Sequence, residues 1–343
     1  MSIVGWGVIG CSDIVKRRAG AAIVEQKNSR LIAFLSRNKE RATAFAKEFG
    51  AESVYDGLQS FLQDERIDVV YVATEVERHA ELTIAAVNAG KHVLVEKPMA
   101  LNTEQCLSMI EAADKNEVKL SVAYYARFFE KAQVMKKVIE EGRLGRVVRA
   151  NIRVMDYYNP SPSHPHFWRV TAKAGGNRLA DIGSHRLDML SYFLGRPVKV
   201  CGFFDRLSMN YEAADTETAL AQFESGVHVT VLANANVPNP GGGTSIEIYG
   251  TQGALLTDPW SEEPVKVLGS DMEPIPVSRT HNAHFPMIDD FAKAIAEGKS
   301  PRFSGIDGMW ATAVIHGVYE SASTGKVISI PNVKRNLENI TGL

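Results

Sequence analysis

The sequence predicts an α/β protein with two domains: an N-terminal doubly wound parallel sheet and a C-terminal α/β domain with a large, open, mostly antiparallel sheet. The chain has 343 residues, which is too long for one ordinary hydrophobic core. Short β-rich runs alternate with helical patterns through its first part, as is typical of parallel sheets. Strand patterns dominate after residue 142. We therefore place the domains at residues 1–122 and 123–343.

Five apolar runs in the first part predict strands, at residues 3–9, 31–35, 68–73, 93–95 and 118–122. Helical patterns separate them, at residues 13–25, 38–49, 80–89 and 103–115. Gly50 and Gly90 follow two of these helices as stop signals, and Thr103 is expected to cap a third. Such crossovers predict a sheet of the kind that binds dinucleotides at the carboxyl ends of its strands.

The second part begins with a predicted helix at residues 129–141 that ends at Gly142. Strands are then predicted at residues 147–155, 198–204, 218–223, 227–232 and 245–249, with a hairpin turn at 224–226. Further helices are predicted at residues 181–193, 284–297 and 307–324, and a flexible loop at 239–243. This mixture predicts a mostly antiparallel sheet with helices beside it.

Composition argues against several classes of function. Hydrophobic residues make up 45%, charged residues 23%, and the net charge is -2, so charge predicts no nucleic-acid or membrane partner. Three scattered cysteines, Cys11, Cys106 and Cys201, form neither a disulfide framework nor a zinc ribbon and fit a reducing compartment. No apolar run reaches the roughly 18 residues of a membrane span, and no basic segment precedes the first strand. We therefore expect a cytoplasmic protein.

A glycine turn after the first strand predicts a dinucleotide site. Gly5, Gly7 and Gly10 spell G-x-G-x-x-G, but that register lies inside the apolar run, whereas the fingerprint must follow the strand. In the better register Gly10 makes the tight turn, and Ser12 stands where the second glycine lets the backbone approach the pyrophosphate. A helix beginning near Asp13 directs its free N–H groups at the phosphates. An ordinary strand–turn–helix is the alternative for this motif alone. The predicted cofactor contacts are Gly10, Cys11, Ser12, Asp13 and Ile14.

The end of the second strand indicates which dinucleotide is bound. A site for NAD is expected to carry an acidic residue about 20 residues after the glycine turn, where it holds the ribose hydroxyls. Ser36, Arg37 and, one turn later, Arg41 stand there instead. Serine and arginine suit a 2′-phosphate, so we predict NADP. NAD is the alternative, in which Arg37 stacks on the adenine. The basic run at residues 16–18 is expected to form a solvated helix face.

Two clusters carry groups suited to proton transfer. Glu96-Lys97-Pro98 follows a strand whose carboxyl end faces the ligand crevice, and the proline fixes the turn so that Lys97 is directed there. On a predicted helix, Asp181, His185 and Asp188 share one face, so Asp181 and His185 point into one cleft. Histidine suits general acid–base chemistry, and the carboxylate would fix its tautomer or contact substrate.

Other interpretations of both clusters stay open. A surface lysine before a turn is the commoner role for a single lysine. Asp181 and His185 equally suit a salt link on the helix face, and Asp181 equally suits a helix cap. With Asp188 they are also residue types that bind metals, but no further cysteine or histidine pairing supports a metal site, so we predict none.

Together these residues resemble the Gfo/Idh/MocA oxidoreductases, the family of glucose–fructose oxidoreductase and inositol dehydrogenase, over nearly the whole chain. The pairing of E-K-P with D-x-G-x-H at this separation is far more specific than a glycine turn. Ser12 and the Ser36-Arg37 pair look most like the NADPH-dependent 1,5-anhydro-D-fructose reductase subgroup. The matching segments are 7–12, 89–98, Trp168-Arg169, Gly175-Gly176 leading to 181–185 and Asp188, and 304–308 with Trp310.

The resemblance implies a Rossmann domain followed by an open-sheet α/β domain that often forms oligomers, here a homodimer or homotetramer. It implies Lys97, Asp181 and His185 as the catalytic group, and commonly a cis bond before Pro98. The residues it implies near the cofactor are Thr74, His79, Glu96 and Lys97.

The combined prediction is hydride transfer between NAD(P) and a sugar or sugar-derived substrate, such as a keto-sugar, an anhydrosugar or an inositol. Rival functions are a redox-assisted glycoside hydrolase and a non-catalytic nucleotide-binding regulator. Asn177-Arg178 and Glu75-Val76 depart from the family pattern in the expected cleft and leave the substrate open. The predicted substrate contacts are Lys97, Tyr125, His164, Trp168, Arg169, Asp181 and His185; Tyr124, Arg127 and His166 are further candidates, of which Arg127 is expected to be structural.

Overall fold

The structure, a computed structural model, describes residues 2–171, 178–238 and 243–333. Three features singled out in the sequence lie outside these ranges. They are Gly175-Gly176, the neighbouring Asn177, and all but the last residue of the predicted loop at 239–243.

A six-stranded, wholly parallel sheet forms the first domain, in the order β3-β2-β1-β4-β5-β6. The strand order reverses beside β1, which opens a crevice at the carboxyl ends of β1 and β4. A short third strand was not predicted, because its three residues are too few to show a period. The strands are β1 (Val4–Ile9), β2 (Ser29–Leu35), β3 (Ser53–Tyr55), β4 (Val69–Val72), β5 (His92–Val95) and β6 (Leu120–Val122).

Five helices connect these strands: α1 (Gly20–Val24), α2 (Lys39–Phe49), α3 (Leu58–Leu62), α4 (His79–Asn88) and α5 (Thr103–Lys115). A π-helical turn at Val15–Ala19 precedes α1, so the predicted helix at 13–25 is not regular. Asn38 caps α2 by accepting from Arg41 N at 2.7 Å. Asn102, and not the predicted Thr103, caps α5 by accepting from Gln105 N at 2.8 Å.

A seven-stranded sheet organises the second domain, in the order β12-β11-β7-β10-β9-β8-β13. Its neighbouring strands run antiparallel except for the parallel pair β7 and β10. Burial alternates along β9, with Glu217, Ala219 and Ala221 inward and Thr218 and Leu220 outward, so the sheet has one core face and one open face. The strands are β7 (Val147–Met155), β8 (Pro197–Asp205), β9 (Thr216–Phe223), β10 (His228–Asn234), β11 (Ser245–Gly250), β12 (Ala254–Thr257) and β13 (Ile328–Ser329).

Four further α-helices lie in the described residues after β6: α6 (Glu130–Glu140), α7 (Ser184–Leu194), α8 (Phe285–Ala296) and α9 (Gly305–Thr324). The last of these packs against β8 and α7 on one side and against α5 and β6 on the other, so it ties the two domains together. In contrast, α8 returns to the first domain, where Phe291 packs on Trp6 with ring centroids 6.1 Å apart. Among the described residues, none of the helices has the length and apolar character that a bilayer span requires.

Candidate active site

One large cavity, of about 1160 Å³, opens at the carboxyl ends of the parallel strands and is closed from the other side by residues 165–169 and 180–185. A pocket of this size accommodates a dinucleotide end and a small substrate together. Residues from both domains line it. The predicted site residues on its wall are Gly10, Cys11, Ser12, Asp13, Ile14, Ser36, Arg37, Arg41, Thr74, Glu96, Lys97, Tyr125, Trp168, Arg169, Asp181 and His185.

The glycine turn has the geometry of a phosphate cradle. Gly10 adopts φ +101°, and a Cβ at this position would lie 2.6 Å from the main-chain oxygen of Ala73, so only glycine fits. The Ser12 hydroxyl is buried and has no hydrogen-bond partner among the described residues. Because buried polar groups are nearly always hydrogen-bonded, we expect a bound ligand to supply the partner of this hydroxyl. The turn therefore fits the pyrophosphate of a dinucleotide.

The end of β2 brings basic groups to the same cavity. Ser36, Arg37 and Arg41 all line it. The Arg37 guanidinium reaches across the crevice, where Nη2 lies 3.3 Å from Oε1 of Glu75 in the loop after β4. Burial raises the pKa of the neighbouring Cys11 thiol to about 11, so this thiol stays protonated.

Glu96 is a buried carboxylate beneath the centre of the cavity. Its Oε1 accepts from the Tyr71 hydroxyl at 2.5 Å, and its Oε2 accepts from Lys97 N at 3.1 Å. The Nε2 atom of His284 lies 3.5 Å from Oε1. Burial acts to raise the pKa of Glu96, but His284, Tyr71 and Lys97 outweigh it and hold that pKa below its ordinary value. The peptide bond between Lys97 and Pro98 is cis, as the family resemblance implies.

Lys97 meets Asp181 from the other domain. Its Nζ donates to the main-chain oxygen of Asp181 at 2.9 Å and lies 3.3 Å from the carboxylate Oδ1. Arg169 Nη1 donates to the same carboxylate, at 2.7 Å to Oδ1 and 2.6 Å to Oδ2. Burial acts to raise the pKa of Asp181, but Lys97, Arg169 and Arg178 lower it to about 2. Asp181 is therefore ionised at neutral pH.

His185 lies in an aromatic enclosure beside this group. The ring centroids of Tyr124, Tyr125 and Trp260 lie 5.8, 5.3 and 5.8 Å from the His185 centroid. Burial, and then the positive charges of Lys97 and Arg186, hold the pKa of His185 well below its ordinary value. The imidazole is therefore neutral at neutral pH, in the form that accepts a proton.

Comparisons with known proteins identify the family of this chain. A model of the oxidoreductase family GFO/IDH/MocA, NAD-binding Rossmann fold, matches residues 4–124, and the GFO/IDH/MocA C-terminal domain matches residues 132–256. The 1,5-anhydro-D-fructose reductase of Ensifer adhaerens is 30% identical over 335 residues, which cover 95% of this chain and 98% of that protein. The chain belongs to the Gfo/Idh/MocA oxidoreductase family. The predicted family and fold class are thereby confirmed.

Other members of the family extend the comparison. Levoglucosan dehydrogenase of Pseudarthrobacter phenanthrenivorans is 28% identical over 346 residues, covering 86% of this chain and 88% of that protein. A solved levoglucosan dehydrogenase in complex with NADH and levoglucosan superposes with a TM-score of 0.86 at 25% identity, covering 96% of this chain and 100% of that chain. The predicted class, a nicotinamide-dependent oxidoreductase, is therefore confirmed at the level of the family.

Asp181 and His185 both line the cavity, as expected, but Asp188 does not, and Asp181 does not fix the His185 imidazole. The carboxylate of Asp181 contacts Arg169 and Lys97, and His185 Nδ1 has no hydrogen-bond partner among the described residues. The reason is a π-helical turn at Leu179–Gly183, whose wider spacing breaks the regular α-helical register. Asp188 turns inward and accepts from Arg127 Nη2 at 2.7 Å, which supports the structural role expected for Arg127.

Two other expected contacts lie off the cavity wall. His79 is buried beneath it, with Nδ1 3.0 Å from the Pro98 oxygen and Nε2 3.1 Å from the Thr74 oxygen, so it braces two loops that line the wall. His164 is exposed and accepts from His166 N at 3.1 Å, and only His166 reaches the cavity. Lys16 and Arg17 are exposed, as expected for a solvated helix face, but Arg17 and the half-buried Arg18 also line the cavity.

Three residues near the site have no signal in the sequence. His284 is fully buried and stacks on Tyr125 with centroids 4.7 Å apart, and Trp260 covers His185. Glu217 on β9 accepts from Leu179 N at 2.8 Å, at the start of the turn that carries Asp181. Each lies in a segment without a recognisable motif, so its position near the site depends on the tertiary fold. Among the described residues no group of three or more His, Cys, Asp and Glu side chains is arranged to hold a metal ion.

Proposed function

We propose that this chain is an NADP-dependent oxidoreductase that transfers a hydride between nicotinamide and a carbon bearing a hydroxyl or carbonyl group on a sugar or sugar-derived substrate. The observation that carries the proposal is the approach of Lys97 Nζ to within 3.3 Å of Asp181 Oδ1 in a cavity that His185 also lines. The relatives named above act, by their names, on an anhydrosugar and on levoglucosan, and a further one is the myo-inositol 2-dehydrogenase of Thermotoga maritima.

The residues present fit the cofactor. The turn at Gly10 and the unpartnered Ser12 hydroxyl would hold the pyrophosphate, and Glu96 and Lys97 stand at the strand end where the nicotinamide is expected. When bound, the cofactor supplies or accepts the hydride. No acidic residue stands directly after β2, at residues 36–39, and Ser36, Arg37 and Arg41 offer a hydroxyl and two cations to a 2′-phosphate, which supports NADP over NAD.

His185 and Lys97 act on the reacting oxygen, and Asp181 positions Lys97. In the oxidation direction the neutral imidazole of His185 accepts the hydroxyl proton as the C–O bond becomes a carbonyl, and in reduction it returns that proton. The Lys97 ammonium donates a hydrogen bond to the same oxygen and stabilises its alkoxide character. Asp181 fixes Lys97 through the 2.9 and 3.3 Å contacts and is itself held by Arg169, so the ammonium is positioned before substrate arrives.

The open face of the second sheet supports a homodimer or homotetramer. Phe203, Leu220 and Leu256 on β8, β9 and β12 have exposed fractions of 74%, 55% and 47%. Exposed apolar side chains on one sheet face favour a protein–protein contact, although the polar Glu247, Asn151 and Thr230 lie between Leu256 and Leu220. Scattered free cysteines and a net charge of -2 support a cytoplasmic location without nucleic-acid or membrane partners.

The test is a panel of sugars, inositols and keto-sugars, each assayed with NADP(H) and NAD(H) by the absorbance of the reduced nicotinamide. We expect a polyhydroxylated substrate to respond, with higher kcat/KM for NADP(H). Activity with small hydroxy acids alone would contradict the substrate class. Sugar cleavage without net cofactor turnover would identify the hydrolase instead, and cofactor binding with no turnover of any substrate would identify the regulator.

A further inference from the structure

Glu75 and Arg37 form an ion pair across the mouth of the dinucleotide crevice. Arg37 follows β2 and Glu75 follows β4, the two strands that flank β1 in the sheet. Oε1 of Glu75 lies 3.3 Å from Nη2 of Arg37, and both side chains line the cavity. The pair therefore spans the region that the adenosine ribose must occupy if the pyrophosphate lies at Gly10.

Opposite charges compete at this end of the cavity. The cations on this part of the wall are Arg37, Arg41 and Arg78, and the carboxylates are Glu75 and Asp56. Arg78 is drawn towards Glu81, whose Oε1 lies 3.3 Å from its Nη2. Asp56 is drawn towards Lys39, whose Nζ lies 3.9 Å from Oδ2, and the Arg41 guanidinium lies 5.8 Å from the ring centroid of Phe45. Glu75 is thus the carboxylate in direct contact with an arginine suited to a 2′-phosphate.

NAD and NADP require side chains of opposite charge at the ribose 2′ position. A ribose with a free 2′-hydroxyl is held by a carboxylate acceptor, whereas a 2′-phosphate needs cations and is repelled by a carboxylate. No carboxylate stands at residues 36–39, directly after β2, and Glu40 lies off the cavity wall, but Glu75 brings a carboxylate to this place from the neighbouring loop. Arg37 is 77% exposed, so its guanidinium is free to turn from Glu75 to a phosphate.

We propose that Glu75 sets the selectivity between the two cofactors. With NAD(H), Glu75 accepts a hydrogen bond from the ribose hydroxyl while Arg37 stays paired with it. With NADP(H), Arg37 leaves Glu75 for the 2′-phosphate, and the remaining carboxylate weakens that binding. This inference rests on the proposed function for the presence of a dinucleotide, and it predicts an enzyme that prefers NADP(H) but retains NAD(H).

The test is the dissociation constant of NADPH and of NADH, each measured by cofactor fluorescence on the full-length protein and its variants. Glu75→Gln is expected to tighten NADPH binding about fivefold, the effect of removing one charge some 4 Å from a phosphate oxygen in water, and to weaken NADH binding about twofold or more. Glu75→Asp keeps the charge and should preserve most of the wild-type ratio.

Glu77→Gln is the matched control. Glu77 is an exposed carboxylate two residues along the same loop and lies off the cavity wall, so its substitution changes the protein's charge equally. The inference is upheld if only Glu75→Gln changes the ratio of the two dissociation constants. It is overturned if that ratio stays within about twofold of wild type, or if Glu77→Gln moves it equally. Failure of the wild-type protein to bind either cofactor would overturn the proposed function as well, whereas tight binding without sugar turnover would count against the proposed function alone.

Discussion

Lys97 Nζ lies 2.9 Å from the main-chain oxygen of Asp181, although the two residues belong to different domains and stand 84 positions apart. The contact joins the tip of β5 to the turn that precedes α7. It places a cation, a carboxylate and a neutral imidazole around one cavity. Because the ion pair is largely shielded from water, it holds the ammonium in one place more firmly than an exposed pair would.

Gly10→Ala is expected to weaken cofactor binding. The new Cβ would lie 2.6 Å from the Ala73 oxygen, so the turn must open or shift, and the dissociation constant for the cofactor should rise roughly tenfold or more. Gly50→Ala is the matched control, because Gly50 also has positive φ (71°) but nothing lies within 4 Å of the added carbon. That variant should lose about 1 kcal/mol of stability and bind cofactor normally. Equal loss of binding in both variants would argue against a phosphate cradle at Gly10.

The low pKa of His185 predicts an unusual dependence of kcat on pH. Because its folded-state pKa lies well below 6.5, the proton-accepting form persists through neutral and mildly acidic pH. In the oxidation direction, kcat should therefore show no inflection near the ordinary histidine value. His185→Ala should lower kcat by roughly 10²- to 10⁴-fold, while His228→Ala, an exposed histidine on β10, should not. A profile that falls with a midpoint near 6.5 would show that the enclosure does not keep the imidazole neutral.

The raised pKa of Glu217 predicts how the free energy of unfolding changes with pH. Burial raises the pKa of this carboxyl to about 8, despite its contacts with Leu179 N and the Tyr319 hydroxyl. In the unfolded chain the group titrates near 4.5, so between these values the folded state binds more protons than the unfolded state. The free energy of unfolding should therefore fall as pH rises through this window.

The matched measurement is Tm at pH 5 and pH 8 for the wild type, Glu217→Gln and Glu320→Gln. The fall in Tm between the two pH values should be smaller in Glu217→Gln, which cannot ionise, and unchanged in Glu320→Gln, an exposed residue on α9. If all three proteins lose the same amount, Glu217 is ionised in the folded state throughout.

Part of this site could be predicted because it depends on contiguous residues at strand ends. In a parallel sheet the carboxyl ends share one edge, so Gly10, Ser36 and Lys97 had to converge once their strands were recognised. The convergence of Lys97 with Asp181 was implied by the family resemblance, since no local pattern relates two residues in different domains. The strands of the second sheet were also predicted from the sequence, whereas the alternation of burial along β9 is visible only in the structure.

The rest depended on tertiary structure. Of the two roles expected for Asp181, fixing the His185 tautomer or contacting substrate, the first assumed a regular helix, and a π-helical turn is not visible in hydrophobic periodicity. Trp260 and His284 lie in segments without a motif, and the π-helical start of the first crossover turned Arg17 and Arg18 towards the cavity. The strand at 53–55 was too short for a pattern to identify it.

Lys97 is proposed to act mainly on the reacting oxygen of the substrate, although it also lies near the expected nicotinamide position. The most direct measurement compares wild type with Lys97→Met, recording both the dissociation constant for NADPH and the single-turnover rate of hydride transfer with the sugar that the wild type uses best. We expect nearly equal binding and a rate lower by roughly 10²-fold or more, since an ammonium is lost from the developing alkoxide. If both the rate and the dissociation constant are unchanged in Lys97→Met, Lys97 does not act on the substrate oxygen.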